Sequence, residues 1–212
     1  MDWKEKALEH AKEEDPKESV GLLLNIKGKK VYYPCHNLST YSHQCFILDP
    51  EDYVKADSLG QIVSVIHSHP TTPAAASEAD RVSCEASGLP WHIVNPKNEE
   101  WGYYEPTGYK PKLKGRPWCW GVTDCWSLVR DWYSEEKGIN LMDWERPVTP
   151  EEFLEKPMFE DCAEATGFRL LKSEEKLENG DLLFMSIMGK GLNHVAIFLN
   201  GEVLHHLADR LS

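Results

Sequence analysis

Two histidines one residue apart, His67 and His69, close an apolar run, "QIVSVIH", that reads as a buried strand. Side chains alternate along a strand, so both rings project to the same side, where a single ion can meet them. Asp80 stands in the first turn of a helix expected from about Ser77 to Ser87, and it can return a carboxylate toward those rings. Three protein ligands leave a fourth tetrahedral position for water, the open arrangement of a catalytic zinc site. Such a water needs a base for its proton, and Glu18, in "ESVGLLL" at the edge of another strand, is the candidate. The same letters also have a plainer meaning. Ser77-x-x-Asp80 is close to a helix capping box, and His69-Pro70 is a common turn dipeptide. A serine that caps a helix can still stand beside a metal whose ligand lies one turn later.

A second set of chemistry-bearing residues lies in the other half of the chain. In "GVTDCWSLVRDWY", Thr123 or Asp124 can cap a helix whose first turn holds Cys125. Backbone N–H groups at that end favour a thiolate, the form that attacks carbonyls, and can then receive the oxyanion. Cys125, Leu128, Val129 and Trp132 follow helical spacing, so the thiol lies along the face that packs on a sheet. Without a partner base, a cysteine there is a small core residue. The base is found by counting across a hairpin. "HVAIFLNGEVLHHL" places Asn200-Gly201 between two alternating strands, which predicts a two-residue type I′ turn. Leu199 then faces Glu202, and pairing continues through Ala196 with His205 to Val195 with His206. His205 thus shares a sheet face with His194 and can orient its ring, while His194 activates Cys125. A slip of one residue would exchange His205 for His206.

The elements that must carry these residues fall into two blocks. Trp3, Ala7, Leu8 and Ala11 predict a short amphipathic helix before Pro16. Strands are expected at "SVGLLLNI", "KVYYP" and "QCFIL", then at "WHIVN" and "EWGYYE" after the helix that carries Asp80. "EPTGYKPKLKGRP", residues 105–117, holds three prolines, two glycines and four positive charges and reads as a linker or, alternatively, a basic docking strip. Beyond it come a helix from near Cys125, helices around 150 to 166, and strands at "DLLFMSI", "HVAIFL" and "EVLHHL". The expected organisation is a first domain over 1–105, a linker over 106–117 and a second domain over 118–212.

Composition narrows the function class. With 212 residues and a net charge of −12, the chain lacks the basic surface that nucleic-acid binders present. No apolar run approaches the length that crosses a bilayer. The opening "MDWKEKALEHAKEED" is charged throughout and lacks the apolar region of an export signal, so the protein is expected in a cytoplasm with its six cysteines reduced. His10, His36, His43 and His92 are scattered without ligand spacing.

"ESVGLL" followed by "HSHPTTPAAASEAD" resembles the signature of JAMM (MPN+) metalloproteases. The resemblance implies an α/β MPN fold for the first domain, Zn²⁺ on His67, His69 and Asp80, Glu18 as general base, Ser77 as oxyanion stabiliser, and peptide or isopeptide hydrolysis. "RPWCWGVTDCWSLVRDWY", "NGDLLF" and "NHVAIFLNGEVLHH" resemble the NlpC/P60 papain-like cysteine peptidases, whose catalytic order is Cys, His and a polar residue, here Cys125, His194 and His205. That implies cleavage between D-glutamate and a diamino acid in peptidoglycan stem peptides. Trp118 stands where that family often has tyrosine, so a phenolic contribution to the site is absent from the expectation. The two domains in this order resemble the tail assembly protein K family of lambda-like siphophages. The resemblance implies tail-tip proteins as partners and, for an enzyme without an export signal, the phage tail as its route from the host cytoplasm to the cell wall. It leaves two further readings open, an assembly factor with a non-catalytic MPN domain and an isopeptidase of ubiquitin-like tags. Members of that family continue past "HHLADRLS", so the closing strands are expected to be short here.

Overall fold

The computed structural model describes residues 2–156, 158–187, 191–208 and 210–212. The chain divides into two compact units, Met1–Lys110 and Pro111–Ser212.

In the first unit, helix α1 (Trp3–Glu14) starts at a capping box formed by Asp2 and Glu5 and buries Ala7 and Ala11. Strands β1 (Val20–Ile26) and β2 (Lys29–Cys35) form a hairpin around Lys27 and Gly28, at φ of 50° and 82°. Both values are positive, as a two-residue turn matched to the strand twist requires. Asp49 caps α2 (Pro50–Leu59), which leads into β3 (Gln61–Ser68). Ser77 caps α3 (Glu78–Ser87), and β4 (Trp91–Val94) and β5 (Trp101–Tyr104) follow. The sheet order is β2-β1-β3-β4-β5, antiparallel except between β3 and β4. That parallel step needs a crossover, and α3 supplies it. His67, His69 and Asp80 therefore sit at the start of this crossover, on either side of the loop from β3 to α3.

β1 serves two cores. Val20, Leu22 and Leu24 pack with Ala56, Val65, Cys84 and Trp91, whereas Leu23 packs with Ala7, Tyr32 and Ile66. A strand covered on both faces reads as an unbroken apolar run, which is how "VGLLL" appears. The expected strand at "QCFIL" does not form: residues 44–48 are turn and coil, with one isolated bridge from Leu48 to Asn37. The Asn37 side chain takes the place of a neighbouring strand. Its oxygen accepts from Ser39 N–H at 2.9 Å and Ile47 N–H at 3.0 Å, and its amide donates to the carbonyls of Glu18 at 2.9 Å and Cys45 at 3.3 Å.

The loop from His69 to Ser77 is pinned from outside. Asn95 donates to the Thr72 carbonyl at 2.8 Å, and a Cβ added at Gly102 would lie 2.1 Å from the Ala74 carbonyl oxygen. Backbone cannot give way there as a side-chain tip can. Gly102→Ala is expected to destabilise the first unit by about 2 kcal/mol or more and to shift the loop that spaces the two histidines from Asp80. A melting curve checks it, and an unchanged midpoint would mean that the loop is slack.

Residues 105–116 contain no helix or strand. Their first part is nonetheless held to α3, because the Glu85 carboxylate accepts from the amides of Thr107 at 2.6 Å, Gly108 at 3.0 Å and Tyr109 at 3.0 Å.

In the second unit, α4 (Cys125–Trp132) runs into a π-helical turn over Tyr133–Lys137, and α5 (Pro150–Leu154) and α6 (Met158–Ala165) follow. Strands β6 (Leu182–Met185), β7 (His194–Leu199) and β8 (Glu202–His205) form an antiparallel sheet in that order. Asn200 and Gly201 have φ of 52° and 87°, and the register runs from Leu199 opposite Glu202 to Ala196 opposite His205. β8 ends at His205, so the expected fifth pair, Val195 with His206, does not form. Trp126, Leu128, Val129 and Trp132 of α4 pack with Val195, Ile197, Leu204, Phe153 and Phe159, and Trp126 stacks on Trp144 at 3.8 Å between ring centres. Each such side chain contributes roughly 1.5–3 kcal/mol by leaving water. This core fixes α4 against β7.

Candidate active sites

β1 and β3 pair with Val20 opposite His67, and the ladder extends one step further: Ser68 N–H donates to the Ser19 carbonyl at 3.0 Å and Ser19 N–H to Ser68 Oγ at 2.8 Å. That register puts Glu18 beside His69, with a carboxylate oxygen 4.0 Å from Nε2. His69 lies one residue beyond β3 and is kept extended by its N–H bond to the Val94 carbonyl at 2.9 Å. Its Nδ1 is 2.9 Å from the Pro73 carbonyl. A carbonyl can only accept, so Nδ1 carries the proton and Nε2 carries a lone pair. That nitrogen faces His67 Nε2 at 3.1 Å, and the Asp80 carboxylate spans the two rings, 3.2 Å from His67 and 3.3 Å from His69.

One donor atom from each of these three residues lies within 4.8 Å of the others. Two facing imidazole nitrogens with a carboxylate across them form a donor set that fits zinc. His67 is fully buried between Phe46 and Trp91, at 4.9 and 5.4 Å between ring centres. Its Nδ1 has no partner among the described residues. Ser77 Oγ accepts from the Asp80 amide at 3.1 Å while Asp80 accepts from the Ser77 amide at 2.7 Å, a complete capping box. That bond uses a lone pair of the hydroxyl, whose own proton is directed to the Asp80 carboxylate. The cap also aims Asp80 at the rings.

The charges follow from this packing. Burial lowers the His67 pKa, against the pull of Asp80. For His69 burial also lowers it, but hydrogen bonding and attraction from Asp80 win and the net shift is upward. Burial would raise Asp80, yet the two imidazoles and Ser77 hold it well below the usual carboxylate range. Glu18 is pushed up to about 8, first by burial and then by Asp80 and Cys45, with His69 opposing. A carboxyl whose folded pKa exceeds its unfolded value contributes stability that is complete below the unfolded value and lost as pH rises through the folded one. Metal-free protein is therefore expected to lose stability between about pH 4.5 and 8 through Glu18. Glu18→Gln, which cannot ionise, is expected to raise the melting temperature of metal-free protein at pH 8 by several degrees, ~5 °C, and to do much less at pH 5. Equal gains at both pH values would rule out burial of this charge as the cause.

The thiol centre is built by α4 and the hairpin of β7 and β8. Asp124, not Thr123, is the cap. It accepts from Ser127 N–H at 2.9 Å and Gly121 N–H at 3.0 Å, while the Thr123 hydroxyl donates to the Pro117 carbonyl at 2.8 Å. Cys125 is partly exposed as a residue but its thiol is buried, and the sulfur takes hydrogen bonds from the Trp126 and Val195 amides, which sets it against the start of β7, where His194 is the adjoining residue. His194 Nε2 meets His205 Nδ1 at 3.2 Å. His206 points away into the protein, with Nε2 donating to the Arg210 carbonyl at 3.1 Å.

The thiol differs from the sequence expectation. Burial, reinforced by the Asp124 carboxylate, pushes it up to about 12, and the two amides and Arg146 only partly offset this. His194 is lowered to about 4, by burial first and then by His205 and His206, against Asp124. The resting pair is a neutral thiol and a neutral imidazole.

Arg146 escaped the sequence reading. Its guanidinium grips Asp124 through Nε to Oδ2 at 2.6 Å and Nη2 to Oδ1 at 3.1 Å, and it also reaches Asp143 at 2.8 Å. Nothing in the local pattern of "DWERPV" marks it, because its partner is distant in sequence. His36, Asp49 and Asp52 also bring donor atoms together, but Asp49 caps α2 and Asp52 accepts from both the amide and the ring of His36, at 2.8 and 2.7 Å. No disulfide joins any of the six cysteines, and no helix among the described residues is long and apolar enough to cross a membrane.

Residues 2–104 match the prokaryotic homologs of the JAB domain, and residues 115–212 match the NlpC/P60 family. Over 210 residues the chain is 36% identical to the tail tip assembly protein K of Escherichia phage N15, covering 96% of this chain and 83% of that protein. Over 168 residues it is 34% identical to the tail tip assembly protein K of Escherichia phage lambda, covering 78% of this chain and 79% of that protein. Among solved structures, one of a protein from Desulfitobacterium hafniense matches at 24% identity over 50% of this chain and 87% of its own, with a TM-score of 0.40. A JAB1/MPN domain protein from Archaeoglobus fulgidus matches at 21% identity over 51% of this chain and 87% of its own, with a TM-score of 0.34. The fold class is a two-domain mixture of helices and strands, an MPN fold followed by a papain-like NlpC/P60 fold. At this identity and coverage, with both domains in this order, the chain belongs to the tail tip assembly protein K family of lambda-like phages.

Proposed function

We propose that the second unit is a cysteine endopeptidase of peptidoglycan stem peptides, cutting between D-glutamate and the diamino acid, and that the first is a zinc-dependent peptidase or isopeptidase domain. The chain would serve a phage tail tip, in assembly or in cell-wall penetration, as the name of its relatives suggests. The observation that carries this reading is the thiol centre: Cys125 at the start of a capped helix, its sulfur against the strand that begins with His194, and His194 held by His205.

The neutral resting pair shapes the chemistry. His194 takes the Cys125 proton as the sulfur bonds to the carbonyl carbon, so the thiolate need not accumulate beforehand. Amides at the start of α4 would receive the developing oxyanion. The tetrahedral species then collapses, the amine leaves with the proton from His194, and water hydrolyses the thioester. His205 fixes the ring of His194 for both proton transfers. His205→Ala is expected to lower kcat about 10²-fold with KM nearly unchanged. Steady-state kinetics on a synthetic stem peptide check this, and an equal loss after His206→Ala would move the role to the wrong ring.

In the first unit, His67, His69 and Asp80 would hold zinc, which supplies Lewis acidity and a more acidic water. Glu18, 4.0 Å from His69, would take a proton, and the Ser77 hydroxyl would turn from the Asp80 carboxylate to donate to an oxyanion. A second reading treats this unit as a scaffold in tail assembly, favoured by the relatives' name. Zinc well below one equivalent, unaffected by His67→Ala, would support the scaffold and count against the metallopeptidase.

A further inference from the structure

Arg146 occupies a place that neither the thiol nor the two histidines account for. Its side chain is 9% exposed and that of Asp124 is 2% exposed, so the pair is shielded from solvent one residue from Cys125. The Asp124 carboxylate does two things that conflict. It caps α4 by accepting from Ser127 and Gly121, which aligns the helix start with the sulfur, and it places a negative charge beside a group that must become an anion. Two-point pairing with Arg146 removes the conflict.

We propose that Arg146 is a positioning residue of the thiol centre, which neutralises the capping carboxylate of Asp124 so that the cap can be kept without its charge opposing the Cys125 thiolate. The proposal rests on the reading of Cys125 as nucleophile, but its test reads the sulfur and not peptide cleavage. The charged groups acting on that sulfur are Asp124 from the cap and Arg146 from the segment between α4 and α5; His194 adjoins Val195, whose amide bonds the sulfur, and His205 on β8 meets His194 at 3.2 Å. Asp143 lies on the far side of Arg146, at 2.8 Å.

The experiment measures the rate constant for iodoacetamide alkylation of Cys125 in the zinc-loaded full chain at a fixed pH of about 9, with fragment ions separating Cys125 from Cys119; well below the thiol pKa this rate is proportional to the thiolate fraction. Arg146→Met should slow it about tenfold or more, because an unpaired carboxylate is left beside the thiol. The double variant Asp124→Asn with Arg146→Met, in which the amide oxygen still caps α4, should return the rate near that of the unaltered chain. Asp124→Asn alone should speed it, and this variant decides the matter if Arg146→Met does not fold. An unchanged rate in Arg146→Met, a double variant that stays as slow as the single one, or Asp124→Asn without a faster rate would each overturn the proposal. Should Cys125→Ala leave stem-peptide cleavage intact while these rate changes appear, the endopeptidase reading fails and the role of Arg146 stands.

Discussion

On the proposed reading, Cys125→Ala is expected to leave a folded protein whose cleavage of stem peptides falls by about 10⁴-fold or more, because covalent catalysis has no second nucleophile to fall back on. Stability should change little. The sulfur sits at a helix start, and its loss removes one small contact while the Trp126, Leu128, Val129 and Trp132 face stays packed. The measurement is the rate of appearance of new amino groups from a stem peptide, beside a circular dichroism melt. Variants at His194 should fall as far, since the thiol at about 12 cannot ionise unaided at neutral pH. Full activity in Cys125→Ala would transfer the cleavage to the other unit or to a contaminant.

If the first unit holds zinc as proposed, removing it is expected to have the second large effect, on stability. A ligand that binds only the folded state stabilises it by RT ln(1 + [L]/Kd), about 2.7 kcal/mol at a hundred times the dissociation constant. For a unit of this size that corresponds to a drop of roughly 10 °C or more in melting temperature on chelation. The donor atoms are carried by β3, the residue after it and the first turn of α3, on either side of the loop between them, so a bound metal would tie those two segments together. In His67→Ala the zinc content should fall to background and chelation should no longer move the transition. Zinc at one equivalent in that variant would place the ion elsewhere.

Features set by local rules were legible in the sequence. Asn200-Gly201 admits a two-residue turn that fixes the register of β7 and β8, and the register puts His205 rather than His206 beside His194. Strand alternation likewise puts His67 and His69 on one side, and the capping box places Asp80 in reach of both. What the sequence hid depends on partners far along the chain. "QCFIL" has the composition of a strand, but the Asn37 side chain takes the hydrogen bonds a neighbouring strand would need. The Pro/Gly-rich stretch looks unattached until Glu85 gathers the amides of Thr107, Gly108 and Tyr109. The helix-start argument for a thiolate gave the right direction for the amides but not the sum, because burial of the sulfur can be seen only once β7 is in place. Arg146 belongs to the same class.

Mass spectrometry of a stem-peptide digest, run with and without a zinc chelator and with Cys125→Ala, tests the separation of the two chemistries most directly. The expected result is a fragment ending in D-glutamate and another beginning with the diamino acid, both unaffected by chelation and absent with Cys125→Ala. Products that vanish on chelation but persist with Cys125→Ala would contradict the assignment of this cleavage to the thiol centre.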